Sequence, residues 1–367
     1  MTTTEQSAAE QQQQRPGAAR QGAIKCVVWD LDDTLWKGVL LEDGAVELGE
    51  EVRHVIKTLD ERGILQSVAS RNEHSHALSK LEELGVAEYF LYPQISWSAK
   101  AAGIERIAAS INIGLDSVAF IDDQHFELDE VRHSLPSVTC IHAAQIGRLL
   151  EMPELTPRFI TEDSRVRRQM YFSDLKRQQV EAEFVGPKEE FLATLGMVFT
   201  IGRAREEDLK RAEELTVRTH QLNTTGYTYS YEELDRFRQS GRHLLLVAAL
   251  EDKYGGYGKI GLALIDRPAD AWTIKLLLMS CRVISRGVGT VMINYIRRLA
   301  RERHVPLRAE FVPTDRNRMM YVSYKFAGFR ELTRRDGLVI LEDQAPEVPP
   351  FPEYIRVRLP EEPGGAV

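Results

Sequence analysis

The 367 residues read as an α/β chain: a doubly wound parallel sheet followed by a second unit of α+β type. Three observations predict this. Short apolar runs alternate with amphipathic helices from Ile24 to about Ala144. From Met197 the order changes to a strand, a helix and then antiparallel strands joined by a Gly-rich stretch. The length itself exceeds the roughly 100–200 residues of one ordinary domain, so two cores and a connector are expected.

In the first unit, Ile24–Trp29, Ile64–Ala69, Tyr89–Tyr92, Val118–Ile121 and Val138–Ile141 read as strands. Several are apolar on both faces, as a sheet covered on both sides requires. Between them Val52, Val55, Ile56 and Leu59 repeat at helical spacing, as do Ile104, Ile107, Ala108 and Ile111. Gly63, Gly85 and Gly114 stand where helix C-caps belong. Ligands of such sheets bind at the carboxyl ends of the strands.

The segments divide as a disordered lead-in over 1–22, the parallel-sheet unit over 23–150, a helical connector over 151–196, the second unit over 197–345 and a tail over 346–367. Within the connector, Arg165–Glu183 is charged enough to read as an exposed helix. In the second unit, Met197–Ile201, Leu244–Leu250, Lys259–Ile265 and Trp272–Met279 read as strands, Glu206–Thr219 as a helix and Tyr254–Gly258 as a hairpin turn. A Gly-bearing loop at Arg286–Gly289 opens a further helix to about Arg303.

Composition narrows the function classes. No apolar run approaches the ~20 residues of a membrane span. A net charge of −8 gives no support for a nucleic-acid partner. Cys26, Cys140 and Cys281 are odd in number and far apart, which points to a reducing cytoplasm rather than a disulfide framework.

The chemistry lies in the ends of the strands. Asp30 closes the first strand, two residues before Asp32, and such a pair can supply a nucleophile and a general acid/base for phosphoryl transfer. Ser70 closes the second strand, with Arg71 and Asn72 next to it, all placed to bind phosphate oxygens. Lys100 opens a helix and can neutralise a phosphoaspartate, and Lys37 can close over it. Asp122 and Asp123 end the fourth strand and offer the hard oxygen ligands that Mg²⁺ prefers. Each of these alone is as readily a turn or a helix cap; their order and context carry the reading.

Asp-x-Asp-x-Thr at 30–34, then Ser70, Lys100 and Asp122-Asp123, resembles the haloacid-dehalogenase superfamily. The resemblance implies Mg²⁺ bound by Asp30, the Asp32 main-chain carbonyl and Asp122, with Asp123 as a further acid of the metal site, and Asp32 acting as general acid/base. Only a flap around Trp36–Glu47 and one helix and strand between Ser70 and Lys100 stand where a cap would be, so the expected site is uncapped. Residues 198–340 resemble the GCN5-related acyltransferase fold, with Arg286-Gly-Val-Gly-Thr290 as the pyrophosphate loop and Asn317 and Tyr321–Phe329 as its later part. Ile284 departs from that loop's usual Arg or Gln.

Together with Trp29–Gly38, Ala69–Asn72, Phe120–Glu127 and Ser280–Val283, the two units closely resemble the FkbH family from about Ile24 to Ile340. That resemblance implies a glyceryl unit taken from 1,3-bisphosphoglycerate, loss of phosphate, and loading of glyceryl onto the phosphopantetheine arm of an acyl carrier protein for polyketide biosynthesis of the methoxymalonyl or tetronate type. A thiol is needed to accept the acyl group, and Cys281, beside the Gly loop, is the candidate; an inert buried thiol is the other reading. His220 can act as a general base or simply end its helix, and His125 can orient substrate or stand solvated. An Mg²⁺-dependent small-molecule phosphatase with a vestigial second unit is the alternative, and a carrier-binding module with purely structural acids a third reading.

Overall fold

The computed structural model describes residues 23–43 and 45–360. The expected lead-in, 1–22, and residues 361–367 of the expected tail lie outside the described residues.

The first unit holds five parallel strands, β1 (Cys26–Trp29), β2 (Leu65–Ser70), β3 (Gln94–Ile95), β4 (Val118–Asp122) and β5 (Thr139–His142), in the order β3-β2-β1-β4-β5. Side chains alternate across β1, so Val27 and Trp29 enter one core while Cys26 and Val28 enter the other. Helix Glu50–Glu61 buries Val55, Ile56 and Leu59 in the first core; helix Lys100–Ile111 buries Ile104, Ile107, Ala108 and Ile111 in the second. Both faces are therefore covered. This is the doubly wound sheet that the sequence predicts, and its strand order reverses between β1 and β4, which places a crevice beyond Asp30 and Asp122.

Two local expectations are corrected. The strand expected at Tyr89–Tyr92 is a 3₁₀ turn at Ala87–Tyr89 followed by a single bridge from Phe90 to Gln66. Tyr92 is left-handed (φ 52°) just before Pro93, so the chain bends and the ladder resumes only at Gln94–Ile95 against Ala69–Ser70. Gly63 and Gly85 do take the left-handed conformation after their helices, but Gly114 does not (φ −74°). There Asn112 (φ 59°) ends the helix instead, because a short amide tolerates that conformation.

Arg167–Glu183 is a helix, but it is not the exposed one expected. Arg167, Arg168, Met170, Tyr171 and Arg177 are buried. Its guanidiniums find carboxylates on both units: Arg168 Nε meets Asp60 at 2.9 Å in the first, and Arg177 Nε meets Asp252 at 2.7 Å in the second. Charge density misleads here because partners distant in the chain neutralise the buried face.

The second unit is an eight-stranded mixed sheet. Its strands are β6 (Met197–Arg203), β7 (His243–Asp252), β8 (Gly255–Asp266), β9 (Trp272–Met279), β10 (Leu307–Phe311), β11 (Phe329–Arg335), β12 (Leu338–Asp343) and β13 (Ile355–Arg358), in the order β11-β12-β10-β9-β8-β7-β6-β13. Helices Leu209–Arg218 and Tyr231–Gln239 cover one face, Val288–Glu302 and Arg318–Phe326 the other. Neither Tyr231–Gln239 nor Arg318–Phe326 was expected as a helix. The glycines of Tyr254–Gly258 lie largely inside β8, and the turn itself is Lys253-Tyr254. Part of the expected tail is structural: Ile355–Arg358 pairs in parallel with Met197–Thr200.

Candidate functional site

The β1 ladder runs through Asp30, whose N–H donates to the Ile121 carbonyl (2.9 Å), and the chain then turns sharply with Asp33 left-handed (φ 51°). Gly38 N–H donates to the Asp33 carboxylate at 2.9 Å, closing the turn on itself. That turn aims the Asp30 side chain along the carboxyl edge of the sheet, toward the end of β4.

Lys100 Nζ stands between two carboxylates there, 3.0 Å from Asp30 Oδ1 and 2.6 Å from Asp122 Oδ2, all three buried. Burial works against the ammonium, but the two carboxylates outweigh it and raise the lysine's pKa. Asp30 is pushed up to about 7, chiefly by burial and against the pull of Lys100, with the Asp122 charge adding to the rise. Ser70, at the end of β2, hydrogen-bonds the same carboxylate. Oxygens of Asp30, Asp122 and Asp123 lie within 4.8 Å of one another. Asp123 is fixed by Thr34, which accepts from its N–H at 3.0 Å, and Asp122 Oδ1 accepts from Gln124 N–H at 2.8 Å. Three carboxylates facing one ammonium leave negative charge uncompensated, in oxygen donors of the kind a hard divalent cation takes.

Asp32 lies beside this trio and its carboxylate is not part of it. Trp36 Nε1 (2.8 Å) and Leu40 N–H (3.1 Å) donate to Oδ1, and Asn72 Nδ2 (3.0 Å) to Oδ2. Asn72 is therefore occupied in orienting Asp32. Arg71 is held by Glu127 at 3.0 Å and Glu130 at 3.3 Å. Lys37 is exposed on the flap, where its backbone bridges Glu47. His125 is exposed and its ring lies 4.5 Å from that of His142. Sequence reasoning overlooked Trp36, a buried indole whose one polar atom meets Asp32, and Glu127, which is buried (4% exposed) near Lys100 with Oε2 unbonded. The spacing of Glu127 after Asp122, in the first turn of helix His125–Ser134, is the signal by which it could be found.

Cys281 and His220 are elsewhere. Both line a cleft of about 440 Å³ between the two units, walled on one side by Lys25, Leu65 and Asn112–Gly114. Those residues precede or open β1, β2 and β4, so this cleft faces the amino edge of the sheet. Lys25 and Asp30 are five residue steps apart, about 16 Å of extended chain. The two candidate centres thus lie at opposite edges of one sheet. Asn112 Nδ2 donates to the Cys281 carbonyl at 3.4 Å, and Arg316 meets Asp116 at 2.9 Å, tying the second unit to that edge. All three cysteines are free thiols.

The Gly loop is crowded from outside. Tyr354, just before β13, places its hydroxyl oxygen 2.6 Å from where a Cβ on Gly287 would lie, and Arg286 turns inward to Glu181 at 3.0 Å. Asn317 is likewise occupied, donating to the Asn223 (3.0 Å) and Val312 (2.9 Å) carbonyls.

No family model matches the chain, and neither does any curated protein. Among solved structures, it is similar to the N-terminal part of a Bacteroides fragilis protein containing a phosphatase domain, complexed with Mg, at 30% identity, 36% coverage of this chain and TM-score 0.32. The chain spans 40% of that structure's length. It is also similar to the ribosomal-protein-S18-alanine N-acetyltransferase of Escherichia coli, at 18% identity over 41% of this chain and 96% of that one, TM-score 0.32. The GNAT domain of an S. lividans protein stands at 21% identity, 39% of this chain and 88% of that one, TM-score 0.32. At scores this low it is the strand order that establishes the fold class: a doubly wound parallel-sheet unit joined to an α+β unit with a mixed sheet. No helix among the described residues is long and apolar enough to cross a membrane.

Proposed function

We propose that this chain is an Mg²⁺-dependent phosphatase and acyltransferase that takes glyceryl from 1,3-bisphosphoglycerate, removes phosphate and loads an acyl carrier protein. The observation that carries the reading is the pairing of a thiol-bearing basic cleft with a separate carboxylate–lysine centre at the two ends of one sheet. A donor with an acyl phosphate and a phosphate ester calls for two such reactions.

In the cleft, Cys281 Sγ adds to the acyl carbonyl, the C–O bond to phosphate breaks, and phosphate leaves with the bonding pair. The thiol proton passes to a base, for which His220 is the candidate. The carrier's thiol then attacks the thioester and frees Cys281. Tyr354 over Gly287 and the inward Arg286 leave the pyrophosphate loop poorly placed for coenzyme A, which favours a carrier-borne pantetheine.

At the other edge Asp30, Asp122 and Asp123, with the Asp32 main-chain carbonyl, would hold Mg²⁺, which supplies charge neutralisation of the phosphate and of its developing transition state. Asp30 attacks phosphorus and the alcohol leaves, protonated by Asp32. Water then hydrolyses the phosphoaspartate, and Asp32 takes its proton. Trp36, Leu40 and Asn72 fix the Asp32 carboxyl for both transfers. Lys100 offsets the negative charge gathered around Asp30.

Intact-mass analysis tests the reading: protein incubated with donor and Mg²⁺ should carry an acyl adduct that passes to a phosphopantetheinylated carrier. Cys281→Ala should carry none. An undiminished adduct in that variant contradicts the thiol's role, and phosphate release from simple esters with no carrier loading supports a stand-alone phosphatase instead.

A further inference from the structure

The cleft around Cys281 holds more positive charge than the chain neutralises. Six cations line it: Lys25, Arg167, Arg211, Arg218, Arg282 and Arg316. Glu214 serves Arg167 and, at 2.7 Å, Arg211; Asp163 also meets Arg211 at 2.9 Å, and Asp116 meets Arg316. The other three are left short. Lys25 makes no ion pair among the described residues, and the charges of Arg218, Asp116 and Arg316 act on it. Arg218 reaches Glu214 only at 3.9 Å and the Gly63 carbonyl at 3.4 Å. Arg282 donates to the Tyr257 carbonyl at 2.6 Å and lies over the Tyr171 ring, with no carboxylate in ion-pair contact among the described residues.

The cost of this arrangement is visible in the groups themselves. Burial, then the neighbouring Arg218, pushes Lys25 down to about 8; burial, then Arg167, pushes Arg218 down to about 9. Cations held together in a cleft, with the shared carboxylate already bonded to two other guanidiniums, favour a multivalent anion that can accept from several of them at once. The cleft is large enough for a small phosphorylated ligand, and its cations line the same cleft as the residue proposed to take an acyl group.

We propose that Lys25, Arg218 and Arg282 form a phosphate-binding site beside Cys281 that receives the phosphate leaving an acyl-phosphate donor. The identity of the bound group as a leaving phosphate rests on the acyl-transfer reading above, whereas the anion site itself does not. As the S–C bond forms, the C–O bond breaks and its electron pair stays on phosphate, where the ammonium and guanidiniums offset the growing charge. Lys25 comes from the first unit, and Arg218 and Arg282 from the second. The site therefore exists only when the two units are joined as they are here.

Alkylation of Cys281 in the full chain, followed by peptide mapping, reads the site directly, because a bound anion shields the thiol from a neutral haloacetamide. Inorganic phosphate at about ten times its Kd should slow alkylation about tenfold in the wild type, because only about a tenth of the sites are then free. Protection within each protein is a ratio, so changes in thiol reactivity cancel. Lys25→Met and Arg218→Gln should each reduce protection to less than about twofold at the same phosphate concentration. Lys25→Arg should retain it, which guards against misfolding as the cause, and Asp30→Asn should retain it, which excludes the carboxylate centre. An unprotected wild type, or equal protection in Lys25→Met and Arg218→Gln, overturns the site. 3-Phosphoglycerate, whose phosphate is an ester remote from the carboxyl, should protect no better than inorganic phosphate; much tighter protection overturns the leaving-group assignment. Protection by phosphate without any acylation by donor would leave the anion site standing and refute the acyl-transfer reading.

Discussion

Arg177→Met probes how the connector helix is seated. The guanidinium is fully buried, donates to Asp252 through Nε at 2.7 Å and NH2 at 2.8 Å, to Asp174 at 2.7 Å and to the Gly255 carbonyl at 2.8 Å, and lies over the Tyr257 ring. Methionine replaces much of the stem's packing but leaves the Asp252 carboxylate buried without its cation. Removing one partner of a buried pair costs about 3–5 kcal/mol. Tyr254 N–H (2.8 Å) and the Tyr257 hydroxyl (3.0 Å) still donate to Asp252, so the lower end applies. At about 2–4 °C per kcal/mol for a unit of this size, a loss of about 3 kcal/mol lowers Tm by roughly 6–12 °C. Scanning calorimetry reads that shift. Adding Asp252→Asn removes the stranded charge while keeping an oxygen for Tyr254, and should recover part of the loss. A single variant within about 1 °C of wild type, with no further change in the double variant, would refute the claim that this pair seats the helix.

Three further outcomes follow from the same geometry. Trp36→Phe removes one of three donors to Asp32 and should lower kcat for phosphate release about 3–10-fold with KM nearly unchanged, as steady-state kinetics would show. Glu214 is pulled upward by burial, but Arg167, Arg211 and Arg218 outweigh that and hold it well below the usual carboxylate range. Its folded pKa being depressed, its contribution to stability is present above the unfolded carboxylate pKa and is lost as pH falls, so urea midpoints should drop on acidification more steeply in wild type than in Glu214→Gln. Phosphate protection of Cys281 should fade as pH rises through about 8, where Lys25 loses its charge, and the Lys25→Arg variant should hold protection to higher pH in the same alkylation assay.

The carboxylate centre was legible because Asp30, Ser70 and Asp122 each sit at the end of a strand, and strand ends can be read from local apolar runs. Lys100 was legible for a similar reason, as the first residue of a periodic helix. The basic cleft was not. Lys25, Arg167, Arg218 and Arg282 come from four separate elements, and nothing in their neighbours announces that they meet. The charged face of Arg167–Glu183 gave the wrong signal for the same reason, since Asp60 and Asp252, which bury it, lie about a hundred residues before it and seventy after it. The pairing of Ile355–Arg358 with β6 is equally non-local: a four-residue strand flanked by prolines looks like a tail until its partner edge is known.

Mixing Asp30→Asn with Cys281→Ala in the presence of donor, Mg²⁺ and carrier tests the central claim most directly. If acyl transfer and phosphate removal occupy opposite edges of the sheet, and the intermediate passes between them off the enzyme or on the carrier, each variant lacks one reaction and keeps the other. The mixture should then form dephosphorylated glyceryl-carrier, read by intact mass, while neither variant does so alone. A mixture that forms none, with each variant still performing its own half-reaction, would contradict two separate centres and place both steps in one cavity.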